Sequence, residues 1–214
     1  LTPVFWMPKG SVTVVKSSLH RSPFTGHQLG DRPTPAGDIG VTVTANMLGS
    51  VTQVSTWHTG VSALCEVLGA ALGQALPAQT GNTVGSADRL VMRTGPEEFL
   101  IISNEAADMT ALLRQSITAD VGSVTNLSHA RCRIHLAGPK CVDTLSKLFP
   151  IDLRDHAFTH DQIRLTGHHH VPSLLHRLGA QSFDVYVFST YAFDQLATVL
   201  DAAREYGVTL KSTG

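Results

Sequence analysis

From residue 40 onward the chain carries clear periodicities. Val41, Val43 and Ala45 alternate with Thr42, Thr44 and Asn46, the two-residue period of a strand with one buried face. A second short β-like run covers 51–56. Val61, Leu64, Cys65, Leu68 and Leu72 then recur at three- and four-residue steps as far as Pro77, which predicts an amphipathic helix. Two further strands, Arg89–Arg93 and Phe99–Ile102, are split by Gly95-Pro96 and read as a hairpin. Asn104 is placed to cap a helix with Glu105 and Asp108 in its first turn and Met109, Leu112, Leu113 and Ile117 on one face. The first half is therefore β-β-α-β-β-α.

A coarse repeat of that order begins near Gly122, with a β run at Ser123–Leu127 and a strand at Arg131–Ala137 in which Cys132, Ile134 and Leu136 alternate with Arg131, Arg133 and His135. Gly138-Pro139 closes the strand and opens a helix marked by Val142, Leu145 and Leu148. Gln162–Thr166, Val171–Leu178 and Phe183–Phe188 follow as strands. The closing helix sets Phe193, Leu196, Leu200 and Ala203 on one face, with Gly207 as its stop. The polar bridges Leu76-Pro77 to Asp88-Arg89 and Phe149-Pro150 to Asp161-Gln162 add to the impression of a duplication. The expected fold is α+β: two related units whose antiparallel sheets each carry helices on one face. The expected boundaries are 38–121 and 122–214 within one compact domain.

Residues 1–37 break the periodicity, with Pro3, Pro8, Pro23, Pro33 and Pro35 among glycines and serines. This segment reads as an N-terminal arm. Phe5, Trp6 and Phe24 are costly to leave in water, so the arm either lies across a neighbour or folds back on its own domain.

Composition narrows the function. Sixteen basic against seventeen acidic residues give a formal charge of -1, which provides no field for gathering nucleic acid or anionic lipid. The longest apolar stretch, Leu64–Leu76, is interrupted by Glu66, Gly69 and Gln74 and falls short of the roughly 20 residues of a membrane span. No export signal is expected from Leu1–Gly10. Cys65, Cys132 and Cys141 lack C-x-x-C spacing and read as reduced, buried thiols of a cytoplasmic protein. At 43% hydrophobic residues the chain is apolar enough to suit an obligate interface.

Candidate chemistry is sparse. No dinucleotide loop, P-loop, zincin or nucleophile-elbow motif occurs. His168-His169-His170, with His176 nearby, invites a metal, but adjacent strand residues face apart and a polar hairpin edge explains the run. Ser128-His129 fails as a nucleophile and base for the same geometric reason. His129, Arg131, Arg133, His135 and Arg154 read as a solvated strand face or as a basic patch for an acidic partner. No catalytic, cofactor or metal residue is assigned. The partner-interface candidates are Trp6, Phe24, His129, Arg131, His156, Phe158 and His176.

An ordered series of blocks resembles the γ subunits of heterotetrameric sarcosine oxidases. Asn126-Leu127-Ser128-His129-Ala130-Arg131 into Leu136-Ala137-Gly138-Pro139 matches the family's D/N-L-S-x-x-R strand and small-Gly-Pro helix start. Leu145-Ser146-Lys147, Pro150-Ile151-Asp152-Leu153, His156-Ala157-Phe158 and Leu174-Leu175-His176-Arg177 continue the series. Phe183-Asp184-Val185-Tyr186-Val187 and Ala202-Ala203-Arg204-Glu205-Tyr206 complete it. Earlier, Asp88-Arg89 and Gly95-Pro96-Glu97-Glu98-Phe99-Leu100 resemble the D-R and G-P-x-E-W-L blocks. Departures are Phe99 for tryptophan, Leu148-Phe149 for Gly-Cys, and the histidine run. The likeness spans about 38–208.

The resemblance implies a fold similar to the folate-binding half of aminomethyltransferases. It implies membership in a complex that oxidatively demethylates sarcosine to glycine, releasing peroxide and either formaldehyde or methylene-tetrahydrofolate. In that family the β subunit holds FAD and FMN, the α subunit holds NAD and the tetrahydrofolate site, and the δ subunit holds zinc. The γ subunit holds no catalytic residue and packs mainly against α. The corresponding subunit of an N-methylglutamate dehydrogenase and a stand-alone folate-binding, aminomethyltransferase-like protein stand as alternatives.

Overall fold

The computed structural model describes residues 22–86, 88–104 and 109–212. Its strands are β1 (Gly30–Arg32), β2 (Val41–Met47), β3 (Ser50–Ser55), β4 (Thr83–Gly85), β5 (Arg89–Gly95), β6 (Glu98–Ser103), β7 (Ser123–Asn126), β8 (Arg131–Ala137), β9 (Gln162–His168), β10 (Val171–Gly179), β11 (Ser182–Phe188) and β12 (Val208–Ser212). Its helices are α1 (Val61–Leu72), α2 (Met109–Ser116), α3 (Cys141–Ser146) and α4 (Ala192–Ala203).

Two sheets result, one ordered β4-β5-β6-β3-β7 and the other β9-β10-β11-β8-β2-β12-β1. The first five strands of the second order repeat the first sheet, with β3, β5 and β6 answered by β8, β10 and β11. The leading strand of each half sits in the other half's sheet: β2 pairs with β8, and β7 with β3. The two bridges between helix and strand meet where the sheets join. Ile163 N–H donates to the Gly81 carbonyl at 2.7 Å, and Thr83 N–H to that of Asp161 at 2.9 Å. All pairings are antiparallel except β2 with β12.

Each sheet buries one face under helices. α1 and α2 cover Val54, Val91, Phe99 and Ile101 with Leu64, Leu68 and Leu113. α3 and α4 cover Val43, Ile134, Leu136 and Val185 with Leu145, Leu196 and Val199. A third, smaller cluster lies between the sheets, where Val51, Met92, Leu100 and Ile102 meet Ile163, Leu174 and Tyr186. Packing of this kind divides the apolar residues of each strand between two layers.

Several expectations change. The helix marked by Val142, Leu145 and Leu148 is a short turn and a half, Cys141–Ser146, with Cys141, Thr144 and Leu145 buried and Val142 and Leu148 packed partly against the core. Phe193 is exposed; the buried face of α4 is formed by Ala192, Leu196, Val199, Leu200 and Ala203. Gly207, at φ 73°, stops the helical segment as expected but leads directly into β12, a strand the pattern did not predict, and a Cβ there would overlap the Asp38 carbonyl oxygen. Within the arm, β1 pairs with β12, and Phe24 enters the core. The His27 ring lies 4.1 Å from that of Phe193 and its Nε2 donates to the Phe193 carbonyl. The cap at Asn104 depends on residues 105–108, which lie outside the described ones.

Candidate functional site

The polar positions of β8 and β11 turn away from the α3/α4 core toward the other sheet. Strand alternation sends Cys132, Ile134 and Leu136 one way, so Arg131, Arg133 and His135 must go the other. On β11 the same rule takes Phe183, Val185 and Val187 to the core and leaves Asp184 and Tyr186 on the face of His135. Register then aligns them: Asp184 is opposite His135 on β8 and His176 on β10.

Asp184 organises this row. Its Oδ1 accepts from His135 Nδ1 at 2.7 Å, its Oδ2 accepts from the Tyr186 hydroxyl at 3.2 Å, and Arg133 Nη1 lies 3.8 Å from Oδ2. Burial, with the adjacent Asp184 charge, pushes the Tyr186 phenol well above its ordinary range and keeps it a proton donor. His176 is almost wholly buried, and burial holds its pKa below the ordinary imidazole value.

Asp184, Tyr186, Arg133 and His176 line a cleft of 560 Å³ at the junction of the sheets. Its floor includes His176, Asp184, Tyr186 and Thr83, while Asp88, Arg89 and Asn104 stand nearer the rim. The volume suits a small molecule. A shallower recess of 260 Å³ continues the same face past Arg133 and His135 to Thr44 and Asn46.

The residues expected at a partner interface are scattered. Phe24 and Phe158 belong to the chain's own core, where the apolar space under the seven-stranded sheet takes them up. His176 faces inward at the cleft. Their interface assignment gives way to interior roles. His129 and His156 are exposed, far apart in sequence. Arg131 is half-buried with its guanidinium 3.9 Å from the Phe188 ring, and burial lowers its pKa. Trp6 lies outside the described residues. Arg133 and His135, read as a solvated face, instead converge on Asp184, and Arg154 pairs with Asp152.

The histidine run forms the β9–β10 turn. His168 is buried with Nδ1 3.3 Å from Gln195 Oε1, while His169 and His170 adopt φ 46° and 69° as the two turn residues. No group of three or more metal-ligating side chains occurs among the described residues. All three cysteines are free; burial raises Cys132 and pushes Cys141 to about 11. Among the described residues no helix is long and apolar enough to cross a membrane.

Sequence reasoning missed Asp184 and Arg177. Asp184 carried a signal, a lone carboxylate in the alternating strand Phe183–Phe188, opposite a strand of alternating cations. Arg177 is fully buried: Nη1 donates at 2.8 Å to the carbonyls of both Leu153 and Phe158, and Nη2 pairs with Asp155.

Comparison with known proteins agrees with this fold. Residues 68–214 match the family described as the GCVT N-terminal domain. A sarcosine oxidase subunit gamma from Arthrobacter sp is 32% identical over 92% of this chain and 96% of its own length. A chain of the heterotetrameric sarcosine oxidase from Corynebacterium sp. U-96, solved with pyrrole 2-carboxylate, superposes with a TM-score of 0.71 at 27% identity. That match covers 80% of this chain and 89% of that one. The glycine cleavage system aminomethyltransferase T from Bartonella henselae shares the fold at a TM-score of 0.57 and 16% identity, over 85% of this chain and 52% of that one. The chain belongs to the family of sarcosine oxidase gamma subunits, built on the GCVT fold.

Proposed function

We propose that this chain is the γ subunit of a cytoplasmic, heterotetrameric sarcosine oxidase, a non-catalytic member that completes and stabilises the assembly. The observation that carries the reading is the likeness to a sarcosine oxidase subunit gamma over nearly the full length of both chains. The likeness to a chain of a heterotetrameric sarcosine oxidase supports it independently. In this reading α is the main partner and β and δ complete the tetramer. FAD, FMN, NAD, tetrahydrofolate and zinc are held by the partners, where sarcosine is oxidatively demethylated.

The surface suits such packing. Trp57 is 79% exposed and Leu165 62%, large apolar groups that a partner surface would take out of water. Co-expression with the α, β and δ chains tests the reading. A stoichiometric, flavin-containing complex retaining this chain through gel filtration is expected; elution of this chain apart from an assembled αβδ complex contradicts it.

A further inference from the structure

His176 is 1% exposed and lines the cleft floor, yet its Nδ1 has no hydrogen-bond partner among the described residues. Its tautomer follows from Thr83. The hydroxyl of Thr83 donates its one proton to the Asp161 carbonyl at 3.0 Å and lies 3.3 Å from His176 Nε2. Toward the ring that oxygen therefore accepts, and Nε2 carries the proton. In the neutral ring Nδ1 is then a bare lone pair, an acceptor only. A buried acceptor left unmatched is destabilising, which is why such groups in folded proteins have partners.

The second acceptor is Asp184, the register partner of His176 on the neighbouring strand. Side chains opposite one another on one face have Cβ atoms about 5 Å apart, so one small group reaches both. A lone pair beside a buried carboxylate repels an anion, and an apolar ligand leaves the His176 Nδ1 lone pair unmatched. Both are satisfied by a nitrogen bearing several protons.

We propose that the cleft binds a small ammonium compound, a simple amine or an amino acid, that divides its N–H groups between His176 Nδ1 and the Asp184 carboxylate. Arg89 and Arg133 line the same cleft. An amino acid extends its carboxylate toward one of these guanidinium groups; a simple amine has nothing to offer them.

The test uses the full chain, alone or with unlabelled partner subunits, with ¹⁵N in the histidine rings of this chain only. Methylammonium chloride, glycine and sodium acetate are titrated, with binding followed by calorimetry and by the ring signals. Methylammonium or glycine is expected to saturate and to move the His176 Nδ1 signal, while acetate does not. H176L and D184N each weaken binding by roughly 10-fold to 100-fold. Glycine binding more tightly than methylammonium marks the site as one for amino acids; equal binding marks it as one for amines. Lack of saturable binding by either, or binding that leaves the His176 signal unmoved, overturns the proposal. Should H176L fail to fold, D184N and the wild-type ring signals decide.

Discussion

Asp184 on β11 accepts a 2.7 Å hydrogen bond from Nδ1 of His135 on β8, and its side chain is only 4% exposed. The carboxylate also accepts from the buried Tyr186 hydroxyl and faces Arg133, so its loss removes a partner from one buried and two partly exposed groups at once. D184A is expected to lower stability by about 3 kcal/mol. H135A, which removes one partly exposed donor, is expected to cost about 1 kcal/mol. Urea unfolding of both variants checks the order; equal effects would show that Asp184 does not organise the row.

Stability should fall on mild acidification. Burial lowers the pKa of both His168 and His176, so between their folded values and the unfolded value of about 6.5 the unfolded chain binds more protons. That stabilisation is present in full above pH ~6.5 and is lost as pH falls through the folded pKa values. Melting temperature measured from pH 8 to 5 should drop below about 6.5, and H168Q should flatten the curve.

Arg177 ties the segment after α3 to β10 through the carbonyls of Leu153 and Phe158 and through Asp155, with its guanidinium 5.0 Å from the Phe183 ring. A lysine brings a point charge where a planar fork is needed. R177K is expected to cost about 3 kcal/mol and R177M more, since it leaves the carbonyls without donors. Chemical denaturation measures both.

The turn residues His169 and His170 lie at positive φ, a region that suits glycine and asparagine in two-residue hairpins. H170G relieves a side-chain clash at an exposed site while giving back some unfolded-state entropy, for a net gain of roughly 0.5 kcal/mol. An unchanged or lower melting temperature would place a favourable contact on that imidazole.

Most elements were legible because their periods are long and clean. The alternation of Val41–Ala45 and Arg131–Ala137 became β2 and β8, and Val61–Leu72 became α1. β1 and β4 span three residues each, too short for alternation to register. β12 did carry a signal, Val208 and Leu210 alternating with Thr209 and Lys211, but Gly207 read as a stop and masked it. The exchange of β2 and β7 between sheets is a long-range pairing, and local pattern is silent on which strand lies beside which. The cleft was hidden for the same reason. Arg133 and His135 read as solvated until β11 brought Asp184 against them. Phe24 read as an aromatic in an arm, because nothing local reveals that β1 and β12 hold that arm against the core.

The central claim, that this chain completes a sarcosine oxidase, is tested most directly by sarcosine-dependent peroxide formation. The rate is measured in purified complexes co-expressed with and without this chain. An active, stable complex with it, and a fall of at least about tenfold in activity or assembled yield without it, is the predicted result. Full activity and yield from α, β and δ alone would contradict the account.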